Sequence, residues 1–167
     1  PPVAIPARPL PPAGASENTP IPTRDAYGLR QTVNAHISKA QATWNMRSAY
    51  NVAALNCVAA SYSPILDGYK RFLKVHEKGL MSTYKEVDNE WRGRVGADFV
   101  RQRESYSTKV YNYFALPPVL PRFCGEIMAV AAESTAVQPK DLDAFSDAAY
   151  GSRYAPQALR SPGSSAY

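Results

Sequence analysis

Hydrophobic residues recur every three or four positions along the middle of the chain, which is the spacing of amphipathic α-helices. Prolines, glycines and short polar stretches interrupt this spacing and mark where the helices end. The predicted helices cover residues 25 or 32–60, 63–92, 97–116, 121–134 and 140–150. No sustained alternation of polar and apolar residues predicts a strand. The pattern predicts an all-α protein: an up-down-up-down four-helix bundle with two long and two shorter helices, followed by a short C-terminal helix.

The first predicted helix is unusually poor in charge. Residues 31–60 carry Lys39 and Arg47 and no acidic side chain. A helix that is apolar around most of its circumference is typical of one that other helices surround. We therefore expect this helix to be largely buried.

Both ends of the chain have a different composition from the middle. Residues 1–24 contain eight prolines, which favour extended polyproline backbone, and residues 151–167 are rich in glycine and serine. We therefore divide the chain into an extended proline-rich arm (1–24), a helical bundle domain (25–150) and an extended C-terminal tail (151–167). We expect the arm and tail to contact partners through Pro6, Pro9, Leu10, Pro11, Ile21, Tyr154 and Tyr167.

The chain contains two cysteines, Cys57 and Cys124. The second predicted helix descends roughly 43 Å and the third climbs back roughly 30 Å, so an extended connection of about 13 Å returns the chain to the end where it began. This places the two thiols together and predicts a disulfide, with buried free thiols as the alternative. The bridge would stabilise the fold by about 4 kcal/mol in the chain-entropy model.

A disulfide predicts an oxidising compartment, so we expect an exported protein in the periplasm or outside the cell, most consistent with a bacterial cell envelope. The chain begins with proline, which suggests a start produced by processing. No apolar run approaches the 18 residues of a membrane helix.

The net charge of +5 is spread thinly along the chain, which disfavours a nucleic-acid partner. Tyrosines and cations mix near the predicted corner between the second and third helices, a combination found in protein interfaces and in anion-binding surfaces. The predicted anion-binding residues are Arg92, Arg94, Arg101 and Arg103.

Motifs for catalysis, metals or cofactors do not stand out. The sequence His76-Glu77-Lys78-Gly79-Leu80 resembles the start of a zinc-protease helix but lacks the second histidine one turn later. His76 lies on an apolar stripe, which predicts a satisfied core histidine more readily than a catalytic base. We predict no catalytic residue, no metal site and no cofactor.

The preferred hypothesis is a non-enzymatic structural or adaptor subunit that binds other protein subunits, or a second copy of itself, through its arm. The alternative is a binding module for an anionic ligand such as a lipid headgroup, a polysaccharide or single-stranded nucleic acid. A third hypothesis is an enzyme that uses His76 with a nearby acid.

Overall fold

The computed structural model describes residues 22–28 and 30–149. Its helices are α1 (Lys39–Asn56), α2 (Ser63–Val75), α3 (Glu77–Val95), α4 (Phe99–Phe114), α5 (Leu120–Ser134) and α6 (Leu142–Ala149). They pack into an all-α bundle, as predicted. Extended pairing within the described ranges is limited to one bridge between Arg24 and Arg30. The predicted interface residues of the arm and tail lie outside the described residues.

The centre of the bundle is α1, which packs against all five of the other helices. Most of its length is buried, including Met46 and Tyr50. The expectation of a buried first helix is therefore confirmed. The absence of acids from α1 follows from this position, because an unpaired carboxylate would lose its hydration among five neighbouring helices.

The predicted start of the first helix, at residue 25 or 32, is wrong. The helix begins at Lys39, and the Ser38 hydroxyl caps it by accepting a hydrogen bond from the Gln41 backbone N–H at 3.0 Å. The preceding segment is held in turns, with positive φ angles of 78° at Gly28 and 56° at His36. Such angles interrupt a helix, although the apolar spacing continues through this segment.

The single helix predicted over residues 63–92 is two helices. The break is at His76, where φ is −103° and ψ is 14°, and α3 begins at the next residue. His76 closes α2 by donating its N–H to the Phe72 carbonyl, and its own carbonyl starts α3 by accepting from the Leu80 N–H. The break therefore interrupts the helix at one residue, while the apolar stripe passes through it unchanged.

The fold-back between α3 and α4 is confirmed. Gly96 turns the chain with a φ of 67°, a value that glycine adopts readily. Trp91 then lies against Tyr106, with ring centroids 5.4 Å apart, and Asp88 pairs with Arg103. Residues so far apart in sequence meet in this way only when the two helices run antiparallel.

The predicted disulfide between Cys57 and Cys124 is also confirmed, with the two Cα atoms 5.6 Å apart. It joins Cys57, the residue just after α1, to Cys124, the fifth residue of α5. The short C-terminal helix predicted at residues 140–150 corresponds to α6, and Asp143 at its start accepts a hydrogen bond from Thr43 of α1 at 3.1 Å. This bond links residues 100 positions apart.

No single described helix is both long enough and apolar enough to span a membrane. Two consecutive helical segments, Glu77–Phe114 and Pro117–Ser134, meet the length and composition criteria when they are taken together as a bent pair.

Candidate functional site

The first candidate site is the corner between α3 and α4, where four arginines are predicted to bind anions. Arg103 lies inside the hairpin and is only 8% exposed. Its guanidinium pairs with Asp88 and with Glu104, the latter at 2.6 Å, and lies 5.0 Å from the Tyr84 ring. Burial disfavours the charged form, but hydrogen bonds to Glu104 and Asp88 outweigh it and raise the pKa of Arg103. Arg103 therefore holds α3 against α4.

Arg101 is a surface residue with a partner on its own helix turn. Its guanidinium forms a two-point contact with the Asp98 carboxylate, 2.8 Å from Nε and 2.5 Å from Nη2. The hydrogen bonds from Arg101 and Gln102 lower the pKa of Asp98. An external anion would have to compete with this carboxylate for Arg101.

The remaining two corner arginines lie over aromatic rings. The Arg92 guanidinium is 4.5 Å from the centre of the Phe99 ring, and the Arg94 guanidinium is 4.7 Å from the Trp91 ring. Both side chains are exposed. The structure thus gives every predicted anion-binding arginine a contact within the hairpin, and the anion-binding role stays a prediction.

His76 lies in the core, as predicted, and is 1% exposed. Its ring is 4.8 Å from that of Phe72. The prediction that this histidine is satisfied is wrong, because neither ring nitrogen has a hydrogen-bond partner among the described residues. Burial lowers the pKa of His76, so the neutral ring is favoured. An enclosed ring without an acid partner in the described chain gives the enzyme hypothesis no support.

A second candidate site is a groove of about 700 Å³ between α1 and one face of the α2–α3 rod, called here the basic groove. Its floor is apolar and consists of Trp44, Leu73, Leu80, Met81 and Tyr84. Its charged rim consists of Arg47, Lys70, Lys74, Glu77 and Lys85. The residues from α2 and α3 recur every three or four positions, so they form one stripe that crosses the break at His76.

Aromatic contacts fix the α1 side of the basic groove. The rings of Trp44 and Tyr84 are 4.9 Å apart, and the Arg47 guanidinium lies 5.2 Å from the Trp44 ring. Arg47 also donates a hydrogen bond to the Tyr111 hydroxyl of α4 at 3.1 Å. These contacts hold the Arg47 fork in place at the edge of the floor.

The sequence pattern alone does not indicate the basic groove. Lys70, Lys74 and Lys85 lie on the polar face of the second predicted helix, and each is exposed, as expected of a surface lysine. The available signal was Trp44 with Arg47, an aromatic and a cation three positions apart on a helix almost free of charge. An isolated charge on a buried helix usually has a partner or faces a cavity.

No group of three or more histidine, cysteine, aspartate or glutamate side chains within residues 22–28 and 30–149 is arranged to hold a metal ion. Comparison with protein-family models, with curated protein sequences and with solved structures finds no match for the chain.

Proposed function

We propose that the protein is a non-enzymatic, exported subunit that serves as a structural or adaptor component of an assembly in a bacterial cell envelope or outside the cell. The observation that supports this proposal most is the Cys57–Cys124 bridge. Disulfides persist in oxidising compartments and are rare in the cytosol. A bundle cross-linked in this way is a rigid support for the segments at its two ends.

The proline-rich arm is the proposed contact with partner subunits, through Pro6, Pro9, Leu10, Pro11 and Ile21. Polyproline backbone has few conformations to lose, so its docking costs little entropy. The arm joins the bundle at a defined point, because Arg30 donates a hydrogen bond to the Pro22 carbonyl at 2.9 Å.

A truncation that removes residues 1–21 and keeps Pro22 tests the arm. We expect the melting temperature of the isolated bundle to stay unchanged, because the removed residues precede the Arg30 contact. We expect the truncated protein to lose its partner subunits when it is purified from the cells that make it. A matched variant that lacks residues 151–167 separates the arm from the tail. Retention of the full assembly by the arm truncation would contradict the proposed contact.

Export has its own test in the same cells. Protein recovered without reductant and then unfolded should resist alkylation at both cysteines. Alkylation of both thiols would place the protein in a reducing compartment and remove the basis for export.

An anion-binding module at the α3–α4 corner is the alternative proposal, and it has weaker support because its arginines already contact groups of the hairpin. Retention on a polyanion column that falls with salt, and that is lost when Arg92 and Arg94 are both replaced by alanine, would favour it.

A further inference from the structure

We propose that the basic groove binds a single-chain amphiphilic anion, such as a long-chain carboxylate. The site goes beyond the adaptor role, because neither the arm nor the α3–α4 corner forms part of it. The inference depends on three features of the groove: an apolar floor, a surplus of positive charge at its rim, and a fixed guanidinium between them.

The floor supplies the apolar half of the site. Met81 is 56% exposed although it lies next to the buried Leu80, so a large apolar side chain faces the groove uncovered. The Trp44–Tyr84 ring pair extends this surface toward α1. A volume of about 700 Å³ is that of a site for one drug-sized ligand. This size favours one hydrocarbon chain over a two-chain lipid.

The rim supplies the charge. Four cations border the groove against one carboxylate, that of Glu77. Lys70, Lys74 and Lys85 are exposed, and none of them forms an ion pair with another described residue. The potential at this mouth is therefore positive and attracts an anion.

Arg47 gives the headgroup a defined place. A guanidinium has five N–H donors, and the hydrogen bond to Tyr111 uses one of them. Its planar fork matches the two oxygens of a carboxylate. Since Arg47 also lies over Trp44, the headgroup would sit directly beside the apolar floor.

The ends of the chain are poor occupants of this groove. Residues 1–21 contain one arginine and one acid, Arg8 and Glu17, and residues 150–167 contain Arg153 and Arg160 and no acidic side chain. Neither segment offers the surplus of negative charge that the rim requires. A separate anionic ligand satisfies both the rim and the floor.

Calorimetric titration of the oxidised chain with dodecanoate, kept below its micelle concentration, tests the proposal. We expect saturable binding of one dodecanoate per chain. Two further probes separate the contribution of the apolar floor from that of the charged rim. Dodecyl maltoside has the same hydrocarbon chain without a charge, and inorganic phosphate has the charge without a hydrocarbon chain. Both should bind at least about tenfold more weakly than dodecanoate. Equal binding of either probe would overturn the proposal.

Charge reversal locates the site. The double variant Lys74→Glu/Lys85→Glu should weaken dodecanoate binding by about tenfold or more. The control Lys109→Glu/Lys140→Glu makes the same change of net charge at exposed lysines away from the groove, and it should bind as the unmodified chain does. Equal losses in the two variants would mean nonspecific attraction and would overturn the assignment to the groove.

A second pair of variants addresses the floor. Met81→Asp places a carboxylate in the groove and should abolish binding, whereas Val100→Asp makes the same kind of change at an exposed apolar residue of α4 and should leave it intact. Both positions are at the surface, and circular dichroism checks that both variants keep the fold. Unchanged binding in the Met81 variant would overturn the proposal.

Discussion

At the scale of single residues, His76 is the least satisfied side chain in the core. Both ring nitrogens are buried without a described partner, and an unmade hydrogen bond of this kind costs about 1–3 kcal/mol. The ring lies in the core at the break between α2 and α3, tilted against the Phe72 ring with the centroids 4.8 Å apart. The ring therefore contributes packing to the core, and its two nitrogens contribute no hydrogen bond within the described residues.

This burial makes stability depend on pH. The folded state lowers the pKa of His76 below its usual 6.5, so the unfolded chain binds the proton more readily. Stability is therefore complete above about pH 6.5 and falls as the pH drops below that value. We expect His76→Phe to flatten this fall, measured by urea unfolding at pH 7.5, 6.5 and 5.5. The slope of the unmodified protein over the same three pH values is the reference, and an equal slope in the His76→Phe variant would contradict this origin of the pH dependence.

A network of hydrogen bonds satisfies polar residues of α1 and connects three helices, α3, α1 and α4. Trp91 donates to the Gln41 side chain at 3.0 Å, and Gln41 donates to Asn45 at 2.9 Å. Asn45 donates to the Tyr106 hydroxyl at 2.7 Å, which in turn donates to the Val33 carbonyl at 2.6 Å. The network ties α1 to α3, to α4 and to the segment before α1.

Removing one hydroxyl from this network tests its contribution. We expect Tyr106→Phe to destabilise the protein by about 1–2 kcal/mol, because the Asn45 amide and the Val33 carbonyl each lose one hydrogen bond. The exposed Tyr27 gives the matched control, since Tyr27→Phe should leave the unfolding midpoint unchanged. Equal midpoints for the two variants would mean that the network adds nothing to stability.

At the scale of helices, apolar spacing predicts most of the fold but not its breaks. Phe72, His76 and Leu80 continue one stripe across the break at His76, so the sequence predicts a single helix where the structure has two. Val33 and Ile37 likewise have helical spacing but pack from an irregular segment against the core. The spacing of apolar residues shows which face of a segment is buried, and it carries little information about the backbone angles of that segment.

The basic groove was unpredictable for a related reason. Each helix pattern identifies a buried face and an exposed face, whereas a groove depends on how closely two helices approach. Lys74 and Lys85 are typical surface residues in isolation, and only the position of α1 beside them makes them a rim. The disulfide was predictable for the opposite reason. The distance between its cysteines follows from the lengths of the predicted helices and from the reversal of chain direction between the second and third of them.

Close approach of helices depends on Gly68 of α2. A Cβ atom there would collide with the Tyr50 hydroxyl of α1 and would lie 3.3 Å from the Cβ of Ala131 in α5. We expect Gly68→Ala to destabilise the protein by about 1–3 kcal/mol, in spite of its gain in helix propensity. Gly125→Ala in α5, where no atom lies within 4 Å, should stabilise it by up to about 1 kcal/mol. Denaturant midpoints of the two variants give the comparison, and two shifts of the same sign would contradict it.

At the scale of the whole molecule, the disulfide encloses α2, α3 and α4 in one loop, because its cysteines are 67 positions apart. Replacing both cysteines by alanine should reduce the free energy of unfolding by up to about 4 kcal/mol. The helical content should persist, because the core around α1 does not depend on the bridge. Thermal unfolding followed by circular dichroism measures both, and an unchanged midpoint would show that the bridge adds no stability.

The central position of α1 has a consequence for how the protein is made. Helix α1 precedes the other five helices in the chain, yet one of its sides packs against α6 through a contact that spans 100 residues. The core around α1 therefore cannot close until α6 has been synthesised. Until then this side of α1 exposes apolar surface that the finished bundle buries.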